Sequence, residues 1–112
     1  MSDGWIKICG ANEIEQEHVT RIDYQGRTFA VYRTKAEGFY ATDGIRTHAN
    51  VHLASGFVMS DMIECPKHNR QFDFTTGRAM RTPACIDLKT YPAKIEVNHV
   101  FIKLHEGDEG HS

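Results

Sequence analysis

The sequence predicts an all-β fold, an antiparallel sandwich or barrel, on three observations. Apolar and polar residues alternate over short runs, no stretch carries the apolar stripe of a helix four turns long, and turn residues recur between the runs. Residues 18–24 open the pattern, with Val19, Ile22 and Tyr24 as apolar or aromatic members. Gln25-Gly26 makes a turn, and 28–33 is the return strand of a hairpin. A third strand is expected over 38–42, ended by Asp43-Gly44. Three more follow over 86–91, 94–97 and 100–104, with Asn98-His99 as a tight turn. A short helical turn fits 12–17, whose glutamates form a solvated face.

The 112 residues allow one domain and one modest core. That length excludes a self-contained redox enzyme with separate dinucleotide and substrate domains. Thirteen Lys and Arg against fifteen Asp and Glu, a formal charge of −2, leave no broad basic surface, so nucleic acid is not an expected partner. No run approaches the roughly 20 apolar residues that span a bilayer, and Met1-Ser2-Asp3-Gly4-Trp5 lacks a cationic, apolar leader. No membrane is expected. The three cysteines, Cys9, Cys65 and Cys85, are odd in number and widely spread, which fits a reducing cytoplasm better than a disulfide framework.

Residues 44–77 behave differently. They hold His48, His52, Cys65, Pro66 and His68 with glycines at 56 and 77. They read as an insertion carried by a framework of 1–43 and 78–112, and loops on a rigid scaffold are where binding groups sit. Two short clusters face each other across it: Arg46-Thr47-His48, then sixteen residues, then Cys65-Pro66-Lys67-His68. His48, Cys65 and His68 are soft or borderline ligands in two turn-rich loops, a set that suits a transition metal. His52, four residues after His48, completes a four-ligand zinc set if the loop makes a helical turn, and is otherwise a loop residue. Cys9 and Cys85 fall in framework strands and read as small buried hydrophobes. His105 and His111 fall in a polar terminal stretch, read as a solvated tail.

On these motifs the chain resembles the Rieske ferredoxins over nearly its whole length. The segments 43–48, Leu53-Ala54-Ser55-Gly56, 64–73, Thr76-Gly77-Arg78-Ala79 and Leu88-Lys89-Thr90-Tyr91-Pro92 fall in the family's order. The nearest flavour is the small ferredoxins of multicomponent ring-hydroxylating and demethylating oxygenases. The resemblance implies a [2Fe–2S] cluster held by a subdomain of residues 44–77, on a basal part made of 1–43 and 78–112. Cys65 would hold the buried iron, and His48 and His68 the outer one through neutral imidazoles. It implies an electron carrier rather than an enzyme, meeting a ferredoxin reductase and a terminal oxygenase through transient contacts under roughly 1,200 Å².

Where the family pattern has its first cysteine, this chain has Arg46. Arginine is effectively never deprotonated in proteins, and two unit charges about 4 Å apart repel by roughly 4 kcal/mol at an effective dielectric near 20. Impaired cluster assembly is therefore expected. The alternatives are a Rieske-fold subunit without a functional cluster, in a structural or regulatory role, and a mononuclear metal module using His48, Cys65, His68 and His52. Arg70 and Phe72 occupy positions where high-potential relatives place Ser and Tyr hydroxyls. Phe72 has no donor, which points to the low end of the range of about −150 to +300 mV. Asn69 stands at a usual glycine and tolerates positive φ. Phe72, Phe74 and Trp5 read as core, and Lys67, Asp61 and Glu64 as a polar rim.

Overall fold

The computed structural model describes residues 4–45, 52–65, 71–80 and 88–104. Eleven strands run through them: β1 (Trp5–Gly10), β2 (His18–Tyr24), β3 (Arg27–Arg33), β4 (Phe39–Asp43), β5 (Phe57–Met59), β6 (Met62–Glu64), β7 (Gln71–Asp73), β8 (Arg78–Ala79), β9 (Thr90–Tyr91), β10 (Ala93–Glu96) and β11 (His99–Lys103). They form three antiparallel sheets in the orders β1-β11-β10, β2-β3-β4-β9 and β5-β6-β7-β8. The all-β expectation holds.

The middle sheet explains the layering. Along β3, Phe29 and Val31 enter one apolar cluster with Ile14, Phe39, Tyr91, Val100 and Ile102. Ala30 and Tyr32 enter a second with Leu53, Ile63, Cys65, Phe72, Phe74 and Leu88. A strand buried on both faces reads as a continuous apolar run, and Phe29-Ala30-Val31-Tyr32 is one, all fully buried. The chain therefore builds two apolar clusters, where its length suggested one modest core. Tyr32 stacks on Phe74 at 4.2 Å between ring centroids and 3° between planes, tying β3 to the small sheet, and its hydroxyl pairs with Thr42 Oγ1 at 2.9 Å.

Several elements differ from expectation. β1 was anticipated only as a framework strand around Cys9, without bounds. Its Ile6 and Ile8 alternate inward, but a register shift between Lys7 and Cys9 breaks the period. Trp5 is half-buried, and Lys94 Nζ stands 4.3 Å from its ring centroid, a cation–π contact. The helical turn is a 3-10 turn at Ala11–Glu13, earlier than 12–17. The tight turn is Val97-Asn98, one residue before the expected pair, with both φ angles positive at 49° and 63°. Strand pairing at Thr90–Tyr91 covers only the end of the expected 86–91 run, of which 86 and 87 lie outside the described residues.

Candidate metal centre

Cys65 follows β6 directly and is fully buried in the second apolar cluster. Glu64 pairs with Gln71 across β6 and β7, so residues 65–70 span the end of that hairpin. The stems of the other loop are also defined. Ile45 and His52 form an antiparallel bridge, and Leu53 N–H donates to Gly44 O at 2.8 Å. The two loop bases adjoin each other. Leu53 shares its apolar cluster with Cys65, and Gly56 lies so close to the Glu64 carbonyl that a Cβ there would collide with it. Glycine is required at that approach.

His52 takes a different role from the one the four-ligand alternative needs. Its Nδ1 accepts the Ala54 N–H at 2.9 Å, capping the 3-10 turn Leu53–Ser55, and its Nε2 is 2.9 Å from Thr28 Oγ1. Both ring nitrogens are committed and the residue is buried, so His52 is not free to bind a metal. Burial pushes its pKa down, with help from Arg21 and against the pull of Asp23. Gly44 backs onto this ring, where a Cβ would strike Nε2. Sequence reasoning left this histidine as a ligand or a loop residue.

Cys65 is the predicted ligand that the structure describes. Arg46, His48 and His68 lie outside the described residues, as do Lys67, Asn69, Arg70, Cys85 and the two terminal histidines. Among the described residues no group of three or more His, Cys, Asp or Glu is placed to hold a metal ion. Phe72 is fully buried in the same cluster as Cys65, and Phe74 beside it, as expected of core residues. Cys9 is buried in the other cluster, also as expected.

The described part of the site is a buried thiol that follows a strand of the small antiparallel sheet on a larger β body. Residues 4–92 match the Rieske [2Fe-2S] domain, and the chain belongs to that family. It is 38% identical over 104 residues to the ferredoxin component of the naphthalene 1,2-dioxygenase/salicylate 5-hydroxylase systems of Ralstonia sp, across 93% of this chain and 99% of that protein. Its fold matches Sphingomonas yanoikuyae B1 ferredoxin with a TM-score of 0.80 at 32% identity, over 89% of this chain and 98% of the other. A chain in the complex of reduced oxygenase and oxidized ferredoxin in carbazole 1,9a-dioxygenase matches at 0.80 and 28% identity, over 91% and 94%.

The family implies a [2Fe–2S] cluster, and a thiol is the donor type that such a cluster takes from its protein; Cys65 is the described residue of that kind in the small-sheet part of the chain.

Proposed function

We propose that this chain is a Rieske-type ferredoxin, a one-electron carrier between a ferredoxin reductase and a terminal ring-hydroxylating or demethylating oxygenase. The observation that carries the reading is similarity to a ferredoxin component along 99% of that protein's length, joined to a buried Cys65 at the foot of two loops. Cys65, His48 and His68 would hold the cluster, which when bound stores one electron. Residues 44–77 would form the cluster-binding part, and 1–43 with 78–112 its base.

The protein's own contribution is positional. Leu53, Ile63, Phe72 and Leu88 share with Cys65 the apolar cluster in which it is buried. Phe72 supplies no hydroxyl to the Cys65 sulfur, which favours a potential low in the Rieske range. No side chain is needed as nucleophile or general base, so the chain works as an electron-transfer component and not as an enzyme. No helix among the described residues is long and apolar enough to cross a membrane; a cytoplasmic location accords with the cysteine usage.

Arg46 favours a second reading, a Rieske-fold subunit that holds little or no cluster. Iron and sulfide analysis with visible absorption separates the two. Two irons and two sulfides per filled chain, taking up one electron, support the carrier; absence of both supports the subunit. Replacing the cation by a thiolate removes the repulsion, so Arg46→Cys is expected to raise iron and sulfide content several-fold. Equal content in the two forms counts against the charge argument.

A further inference from the structure

The direction of both hydrogen bonds on the His52 ring is fixed by the Ala54 amide. That amide only donates, so Nδ1 accepts from it at 2.9 Å and the ring proton sits on Nε2. Nε2 therefore donates to the Thr28 hydroxyl oxygen, also at 2.9 Å. Thr28 lies opposite Asp23 in the β2–β3 register, and Asp23 pairs with Arg21 at 3.1 Å. The ring thus links β3 to the stem that follows residues 46–51. The other stem is held too, because Gly44 N–H donates to Thr28 O at 3.0 Å while Gly44 packs on the ring.

We infer that His52 is a positioning residue whose neutral ring clamps Gly44 and Ala54, on either side of residues 46–51, to β3, so that this clamp, and through it retention of the cluster, responds to pH and to the surface pair Arg21–Asp23. Protonation places a hydrogen on Nδ1, facing the Ala54 N–H, and the cap is lost. Among the described residues the charged groups that act on the ring are Arg21 and Asp23, both on β2. Arg21 resists the added charge and Asp23 favours it. The inference rests on the proposal that 46–51 carries a cluster ligand.

Amide hydrogen exchange on the full chain tests the clamp directly, with iron retention followed on the same samples. Protection of the Ala54 amide is expected to fall about tenfold, beyond the intrinsic pH effect, as the buffer moves from neutral to mildly acidic. His52→Asn keeps an acceptor for that amide and does not titrate, so protection should persist without the pH dependence. His52→Gln reaches Thr28 but loses the cap, so protection should fall at every pH. Two exposed changes keep the test valid if the His52 variants fold poorly. Asp23→Asn should move the midpoint to lower pH and Arg21→Gln to higher pH. Unmoved midpoints, or wild-type pH dependence in His52→Asn, overturn the clamp. Iron retention indifferent to these variants overturns the link to the cluster. A wild-type chain that never takes up iron and sulfide overturns the carrier reading instead, and is recognised without any variant.

Discussion

Burial pushes the Cys9 thiol up to about 11, with Glu13 adding to the shift. A thiol this far above neutrality, packed with Ile14 and Val100, is a poor nucleophile. Cys9 is therefore expected to stay unalkylated when the folded chain is treated with iodoacetamide at mildly alkaline pH, and mass spectrometry of the digested protein reads this out. Modification comparable to that of the unfolded chain would contradict the packing. Gly56 makes an equally local demand. An alanine there forces the Glu64 backbone aside, so Gly56→Ala should lower the denaturant midpoint by an amount worth about 2 kcal/mol or more, and reduce iron uptake with it. The sequence named Cys65, His48 and His68 together as the proposed ligands, because cysteine and histidine at these spacings are chemically conspicuous. It did not disclose that His52 is a cap. The partners that make it one, Thr28 and the Ala54 amide, are a hydroxyl far away in the chain and a backbone group with no sequence signature.

At the level of elements, strands with a clean period or a clear turn were legible. β2 coincides with the expected 18–24, and Gln25-Gly26 turns with φ of 50° and 80°, the mirror-image geometry that suits right-twisted hairpins. The bounds of β1 were hidden by its bulge, and the strands of the small sheet by their length of two or three residues. The second hairpin turn is chemically odd. Val97 adopts φ of 49°, where a β-branched side chain is strained. Asparagine accepts that conformation, so Val97→Asn is expected to raise stability by about 0.5–1 kcal/mol, seen as a higher urea midpoint with an unchanged slope. No gain would mean that Val97, 88% exposed, carries less strain than its backbone indicates.

Across the whole molecule, β3 belongs to both apolar clusters, so the basal sheets and the small sheet share one structural member. This sharing could not be read from any single segment, because it depends on which long-range neighbours fill each face. Protons act on the same unit. The folded pKa of His52 lies below its ordinary value of about 6.5, so as pH falls through that value the unfolded chain binds a proton before the folded chain does. Stability contributed by the neutral ring is complete above about pH 6.5 and declines below it, until the folded ring protonates as well. Urea midpoints across mildly acidic buffers should show that decline. A midpoint that holds level down to the carboxylate range would exclude it.

The solitary indole, Trp5, lies on β1 with a lysine ammonium against its ring, whereas Cys65 follows β6 in another sheet. The indole fluorescence therefore reads the sheet of β1, and any visible colour would come from the part that holds Cys65. Two wavelengths followed during one melt would sense different sheets, and β3, which enters both apolar clusters, requires both curves to fall together.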